Sequence, residues 1–266
     1  MKYTSPHFQL HYLQNYTLLV KTDFIHDTLL VLDEQQEVKV LYVYPSNVPD
    51  SEAMKLLGLP FQRVHVNLPL QSLVFIPTEV FQEDDQEIYQ EFLSDNLINR
   101  TYTYSLSSLG ITACYQYDVL LLERWRHIFP EAVFCTDFQA VLRHTQAYVP
   151  LQGEVLGANF RDTQVDLYAF INGQLRIYQT FEMAGVDDLH YFVLSLFKTL
   201  DIQGEAQKCL VSGVAHDHVY VDALRKFSHQ LEFISPKNTW KTDRADLLLE
   251  IERLGIVLDS ETICAL

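Results

Sequence analysis

The stretch that decides the fold is NFRDTQVDLYAFINGQLRIYQTFEMAGVDDL, residues 159–189. Two apolar runs, Val165 to Ile171 and Leu175 to Phe181, flank the dipeptide Asn172-Gly173. Asn and Gly both tolerate the positive φ angles of a two-residue turn, so this pattern predicts a β-hairpin. Apolar residues then recur at helical spacing from Val186 to Leu200, after acidic residues that suit the start of a helix.

Further strands are predicted on both sides of this hairpin. Val155 to Ala158 completes a three-stranded opening, and Cys209 to Val211 and Leu231 to Ile234 are short strands separated by a helix. A similar opening occurs in the first half of the chain, over Leu18 to Val20, Thr28 to Leu32 and Val38 to Tyr44. The order strand-strand-strand-helix-strand-helix-strand is that of ribonuclease-H-like folds. The sequence therefore predicts an α/β protein with a duplicated ribonuclease-H-like unit.

The first half contains additional elements, among them an acidic helix over Glu83 to Asn96 whose apolar side carries Ile88, Phe92 and Leu93. The other elements predicted there are strands over 63–67, 73–76, 101–106, 111–115 and 132–135, and helices over 50–57, 118–128 and 138–144. The segment Val149 to Gly153 is the predicted boundary. We expect two mixed-sheet domains, residues 1–150 and 151–266, that face each other across a ligand-binding cleft.

The composition excludes several classes of function. The formal charge is −16, from 35 acidic and 19 basic residues. Binding to nucleic acid or to an anionic membrane surface needs clustered basic side chains, so neither is expected. The four cysteines are scattered without a CxxC pair, and neither a secretory signal nor an apolar run of roughly 18 residues occurs. These observations predict a cytoplasmic protein without membrane insertion.

The decisive stretch resembles the second phosphate-loop region of actin-like ATPases, which reads roughly D-x-G-x-G-T-x-D, strand, N-G, strand and G-G-x-D. On this frame Asp166 takes the last acidic position, and Ala184-Gly185 takes the place of the glycine pair. The segment LVSGVAHD, residues 210–217, resembles the strand and turn of the adenosine motif, of which Gly213 is kept. The whole pattern is similar to an uncharacterised bacterial family of degenerate actin-like proteins. The resemblance implies an actin-like ATPase fold over most of the chain.

The phosphate loops depart from that pattern in both halves. Asn159 replaces the first acidic residue, and Arg161 and Thr163 replace two glycines. A β-carbon disfavours positive φ angles and occupies space that a phosphate would need. In the first half, Lys21 stands at the metal-organising position and Asp23 stands at a glycine. These replacements predict a pseudo-ATPase that does not hydrolyse ATP in the ordinary way.

The candidate cleft or anion-binding residues are Lys21, Asp23, Asn159, Arg161, Asp162, Thr163, Asp166, Gly185 and Gly213. Arg161 is able to hold an oxyanion through its side chain, although packing on the hairpin is the commoner role. Asp162 and Asp166 are alternative metal ligands, although acids in turns and at strand edges are commoner. His216-Asp217-His218 places two imidazoles on one side of an extended segment, but Asp217 is more simply explained as a helix cap. We predict no catalytic residue, no bound metal and no cofactor.

Two functions of different classes stay open. The first is a non-catalytic binding or scaffold protein with a protein partner of unidentified kind, similar to the bacterial actin-like adaptors of cell division and pilus assembly. The alternative is an ATP-dependent phosphotransferase or ATPase with a rebuilt phosphate site. A ribonuclease-H-like nuclease is disfavoured because it needs clustered carboxylates and a basic track. The oligomeric state does not follow from these patterns.

Overall fold

The computed structural model describes residues 1–22, 24–82, 86–93, 100–161, 163–234, 240–242 and 244–253. These residues form two compact units. The first includes the described part of residues 1–139 together with 240–242, and the second includes that of 140–234 together with 244–253. The units meet in sequence upstream of the boundary expected at Val149 to Gly153, which stays a prediction.

The first unit contains two sheets. Its strands are β1 (Lys2–Thr4), β2 (Thr17–Thr22), β3 (His26–Leu32), β4 (Val38–Pro45), β5 (Arg63–Asn67), β6 (Leu70–Pro77), β7 (Tyr102–Leu106), β8 (Ile111–Tyr117) and β9 (Val133–Cys135). Its helices are α1 (Ser51–Leu57), α2 (Gln86–Glu91), α3 (Val119–Ile128) and the start of α4 (Asp137–Thr145). The larger sheet has the order β1-β4-β3-β2-β5-β9. β2, β3 and β4 form an antiparallel meander, and β2 pairs in parallel with β5.

The smaller sheet of the first unit has the order β6-β8-β7 and is antiparallel. Tyr89 of α2 stacks on Phe81 at 5.4 Å between ring centroids and belongs to the buried cluster beside this sheet. α2 is the described part of the acidic helix predicted over Glu83 to Asn96, and the ends of that prediction lie outside the described residues. The apolar side predicted for this helix is wrong at Ile88 and Phe92, which are exposed.

The second unit contains a single five-stranded sheet in its described part. Its strands are β10 (Glu154–Arg161), β11 (Gln164–Ile171), β12 (Gln174–Glu182), β13 (Lys208–Ser212) and β14 (Leu231–Phe233). Its helices, after the end of α4, are α5 (Val186–Leu200), α6 (Val219–Leu224) and α7 (Ala245–Arg253). The strand order is β12-β11-β10-β13-β14, with β10 parallel to β13. This sheet has the same meander and the same parallel crossover as the larger sheet of the first unit.

The hairpin predicted at Asn172-Gly173 is confirmed. The two residues have φ angles of 51° and 76°, which suit a type I′ turn. β10 and β11 are buried along nearly their whole length, whereas β12 alternates between partly buried and exposed residues. Such alternation is typical of a strand at the margin of a sheet with one face on the core.

α5 packs one apolar stripe against this sheet. Leu189, Val193 and Phe197 are buried in the core of the second unit. The predicted acidic start of this helix is confirmed, since Asp188 accepts a hydrogen bond from the Ala184 N–H at 2.7 Å. None of the described helices combines the length and the apolar character that crossing a bilayer requires.

Candidate functional site

The candidate site of the second unit lies where β10 and β13 end beside β11. Asn159 of β10 stands opposite Asp166 of β11 and also beside Ser212 of β13. All three side chains are buried. Alignment with the ATPase pattern placed Asn159 and Asp166 in one loop region. The pairing of β10 with β11 brings their side chains together.

A network of hydrogen bonds surrounds the Asp166 carboxylate. Arg161 Nη2 donates to Oδ1 at 2.5 Å, and Thr180 Oγ1 donates to the same oxygen at 2.7 Å. Asn159 Nδ2 donates to Oδ2 at 3.0 Å, and its own Oδ1 accepts from Ser212 Oγ at 2.8 Å. The carboxylate is therefore paired with a cation and bonded through both oxygens, which is how a protein tolerates a buried charge.

Arg161 reaches back along its own hairpin to this carboxylate. Its side chain is 15% exposed, and its guanidinium forms an ion pair with Asp166. The resemblance placed Arg161 at a glycine that would approach a phosphate. Anion binding by Arg161 stays a prediction, and it would require the guanidinium to exchange Asp166 for the anion or to hold both.

Gly213 and Gly185, the two glycines that align with glycines of the ATPase pattern, have different surroundings. Gly213 follows β13 with φ of 82°, and a β-carbon there would lie 2.0 Å from the Phe160 carbonyl oxygen. Gly213 is therefore required where the chain passes β10 at close range. Gly185 has an extended backbone immediately before α5, and a β-carbon would meet no atom within 4 Å. The local structure does not require a glycine there.

The remaining candidates of the second unit are Asp162 and Thr163. Asp162 lies outside the described residues. The Thr163 carbonyl accepts a hydrogen bond from the Met183 N–H at 2.7 Å, which joins the turn of the β10–β11 hairpin to the end of β12. A backbone engaged in this way supports the hairpin and the edge strand.

The first unit holds a corresponding buried aspartate. Asp27 of β3 stands opposite Thr22 of β2, whose hydroxyl donates to Asp27 Oδ1 at 2.6 Å. Ser46 Oγ donates to the same oxygen at 2.9 Å, and Arg124 of α3 forms an ion pair with Oδ2. Asp27 has no exposed surface. Burial, followed by the negative charge of Asp27, raises the pKa of Tyr44 well above its usual value.

The two buried aspartates occupy the same place in the two meanders. Each stands on the second strand, opposite a polar residue near the end of the first, and each is paired with an arginine. Thr22 therefore corresponds to Asn159 in the cross-strand hydrogen bond. Lys21 points to the opposite face of the sheet from Thr22, because successive side chains alternate along a strand. Its register partners are Thr28 and Asn67.

Sequence reasoning missed the network around Asp27. Arg124 is separated from Asp27 by 97 residues, so no local motif joins them. Asp23, which sequence reasoning did select in this hairpin, lies outside the described residues. The signal that could have located Asp27 is the duplication itself, since aligning the two hairpins places this acid opposite the end of the first strand, as Asp166 is.

The histidines after β13 have local structural roles. His218 Nδ1 accepts a hydrogen bond from the Tyr220 N–H at 3.3 Å and caps α6. The predicted capping by Asp217 is wrong, since His218 occupies that position. His216 stacks on Phe233 at 3.6 Å between ring centroids. No group of three or more metal-ligating side chains occurs among the residues that the structure describes.

A family model for a protein of unknown function, DUF3822, matches residues 7–231, which is most of the chain. The chain belongs to the DUF3822 family. No curated protein matches it.

Solved structures relate this DUF3822 chain to actin-like ATPases in fold. A Bacteroides thetaiotaomicron VPI-5482 protein with an actin-like ATPase fold and unknown function has a TM-score of 0.68 at 18% identity, over 91% of this chain and 98% of that one. A chain of the PilM–PilN type IV pilus biogenesis complex has a TM-score of 0.63 at 11% identity, over 93% and 98%. At these identities the likeness establishes the fold alone, and it confirms the actin-like fold predicted from the sequence.

Proposed function

We propose that this DUF3822 protein is a non-catalytic binding or scaffold protein in which buried ion pairs occupy the positions of the phosphate loops. An actin-like ATPase needs a carboxylate that is available to organise Mg²⁺ and water, and backbone N–H groups that are available to phosphate oxygens. We infer that this chain provides neither an available carboxylate nor available backbone N–H groups.

The observation that carries the proposal is the state of Asp166. Its carboxylate is the one acid of the two in the ATPase pattern that this chain keeps on the aligned frame, and it is buried. Arg161, Asn159 and Thr180 all donate hydrogen bonds to it. Ligation of Mg²⁺ would have to displace these donors and would leave the Arg161 guanidinium without its carboxylate, which is costly inside a protein.

The first unit supports the same interpretation independently. Asp27 is equally buried and is paired with Arg124, an arginine from a separate helix. Two unrelated arginines thus neutralise the corresponding aspartates of the two halves. Such a repeated arrangement is expected where the carboxylates stabilise the fold, and it is not expected where they bind a metal.

A role in protein binding is supported by the fold comparison. The PilM–PilN structure contains a chain of this fold as part of a protein complex. By analogy, we propose that the DUF3822 chain binds another protein and holds it in place. Analogy of fold is a weaker argument than the geometry of Asp166, because one fold serves many functions.

Calorimetric titration with ATP, pyrophosphate and sulfate, each with and without Mg²⁺, tests the proposal. We expect binding to be absent or weak, indifferent to the base, insensitive to Mg²⁺ and reduced by salt. Any weak binding of these anions should be lost in Arg161→Ala. Release of phosphate from ATP should not exceed that of a heat-killed sample.

Two results would reject the proposal in favour of the ATPase or phosphotransferase. One is tight, Mg²⁺-dependent binding that is selective for ATP. The other is Mg²⁺-dependent phosphate release that Asp166→Ala abolishes. Far-UV circular dichroism of each variant ensures that a lost signal reflects lost chemistry and not unfolding.

A further inference from the structure

A cavity of about 380 Å³ lies in the first unit at the amino ends of β5 and β9. Residues 57–62, which lead from α1 into β5, and residues 128–132, which lead from α3 into β9, line it. Lys21, a candidate anion-binding residue, pairs with Asn67 at the opposite end of β5. The cavity is therefore separate from the predicted anion-binding position at Lys21, and its size is that of sites that bind small molecules.

Most of the lining is apolar. The apolar side chains come from both segments and from β5, and they include Leu57, Phe61, Val64, Ile128, Phe129 and Ala132. Leu57, Phe61, Val64 and Phe129 are buried, so packing in the fold fixes the shape of this wall before any ligand binds. A ligand with an apolar body fits such a wall. The rings of Phe61 and Phe129 suit an aromatic body in particular.

Glu131 is the charged residue of the lining. It is exposed, and its carboxylate takes part in no ion pair or hydrogen bond with another described residue. Among the described residues, no lysine, arginine or histidine lines the cavity. Lys55 and His127, exposed basic residues on the two helices, lie outside the lining. The cavity therefore carries a negative charge that its own lining does not balance.

The arginines next to the two segments are engaged elsewhere. Arg126 forms an ion pair with Glu123 and donates a hydrogen bond to the Tyr102 hydroxyl at 3.3 Å. Arg63 donates a hydrogen bond to the Asn15 carbonyl at 2.8 Å. Neither guanidinium is paired with the carboxylate in the cavity, which leaves that carboxylate available to a cationic ligand.

The end of α3 adds to the negative potential of the cavity. Ile128 is the last residue of α3 and lines the cavity. The Phe129 N–H donates to the Trp125 carbonyl at 2.8 Å, but Pro130 has no N–H to donate to the Arg126 carbonyl. Carbonyls without a helical partner give the carboxyl end of a helix a partial negative charge, which favours a cation nearby.

We propose that this cavity binds a small organic cation, in which a protonated amine is attached to an apolar, preferably aromatic body. The amine lies at Glu131 and the end of α3, and the body packs against Phe61 and Phe129. The net charge of −16 raises the concentration of cations around the chain. The inference does not depend on whether the chain binds another protein, as proposed above.

Two ligands that share an indole ring and differ in charge test this proposal. Tryptamine carries an ammonium group, and indole-3-acetate carries a carboxylate. In amide NMR spectra of the full chain, tryptamine should cause saturable shifts at Gly58, Gln62 and Ala132, with a dissociation constant of about 1 mM or lower. Indole-3-acetate should bind about tenfold more weakly or not at all, because Glu131 and the end of α3 repel its carboxylate.

Substitution of Glu131 separates this site from the general attraction of an acidic chain for cations. Glu131→Gln should weaken the binding of tryptamine about threefold to fivefold, as expected for the loss of one exposed charge. Glu79→Gln removes an exposed acid outside the lining, and this matched control should leave the dissociation constant unchanged. The amide spectra also verify that both variants are folded.

The proposal is overturned if tryptamine causes no saturable shifts, or causes them only elsewhere in the chain. Equal affinity for tryptamine and indole-3-acetate would overturn it as well, since the cavity would then not select a cation. Equal effects of Glu131→Gln and Glu79→Gln would mean that the carboxylate in the cavity does not hold the amine.

Discussion

At the scale of one residue, Asp166 is a buried carboxylate whose charge is balanced by Arg161. A buried carboxylate contributes stability only while its charge is balanced, and removing one member of a buried pair is more costly than never having had the pair. Arg161 and Asp166 are both largely buried, at 15% and 1% side-chain exposure. The pair is therefore expected to matter for folding, independently of any ligand.

Asp166→Asn should lower the free energy of unfolding by about 3 kcal/mol, because it leaves the Arg161 guanidinium buried without its counter-charge. Urea denaturation measures the change. Asp222→Asn serves as a control, since its partner Arg225 is well exposed, and exposed pairs contribute at most about 1 kcal/mol. Equal small effects of the two substitutions would mean that Asp166 does not need to be charged in the folded chain.

Gly213 is the second residue whose identity the local structure dictates. Gly213→Ala should destabilise the chain by about 2 kcal/mol or more, since it combines a positive φ with a contact that the backbone of Phe160 cannot relieve. Gly58→Ala is the matched control, because its φ is −79° and its β-carbon would make ordinary contacts at 3.5 Å or more. If the midpoint of thermal unfolding falls equally in the two variants, the close approach of Gly213 to Phe160 does not require a glycine.

At the scale of elements, the sequence predictions were more accurate where the signal lay within a few neighbouring residues. The β11–β12 hairpin was predicted because turn chemistry at Asn172-Gly173 acts within two residues. The cap of α6 was assigned to Asp217 and belongs to His218, since one residue of shift is within the uncertainty of any helix start. Ile88 on α2 and Phe92 just after it were predicted on a packed side and are exposed, because apolar spacing does not reveal which face has a partner.

The start of α1 allows a prediction about titration. Asp50 caps this helix, and the hydrogen bond from Lys2, followed by that from the Ala53 N–H, lowers the pKa of its carboxyl below the usual 3.8. Lys2→Met should raise the pKa of Asp50, as measured by NMR titration of the carboxyl carbon. The control Lys226→Met should not change it. A pKa of Asp50 that does not respond to Lys2→Met would contradict the contact between β1 and α1.

The sign of the linkage follows from the direction of this shift. Because the folded-state pKa of Asp50 is lowered, its ionised form stabilises the folded chain above the unfolded value of about 3.8. That contribution is lost as the pH falls through the folded-state pKa. In Lys2→Met the same contribution should be smaller, so acid should destabilise the variant by less at this position.

On the scale of the whole molecule, the order of the strands is what the sequence predicted best. The meander and the crossover of each unit could be predicted, because hydrophobic periodicity shows the type and the order of the elements along the chain. The pair formed by Asp27 and Arg124 could not be predicted in this way, since it depends on how α3 packs against the larger sheet of the first unit. The pairing of β1 with the edge of β4 is likewise visible only in the sheet order.

The net negative charge of the whole chain predicts that it does not bind nucleic acid. Affinity for DNA comes mainly from basic groups that replace the counterions of phosphates, and it weakens steeply with salt. This chain carries 35 acidic and 19 basic residues. We expect no binding to a fluorescein-labelled DNA duplex or single strand in fluorescence anisotropy at about 0.1 M salt, because the net field repels phosphates. A basic DNA-binding protein is the positive control.

Saturable binding that weakens with added salt would mean that a local basic surface overrides a net charge of −16, and it would return the nuclease interpretation to consideration.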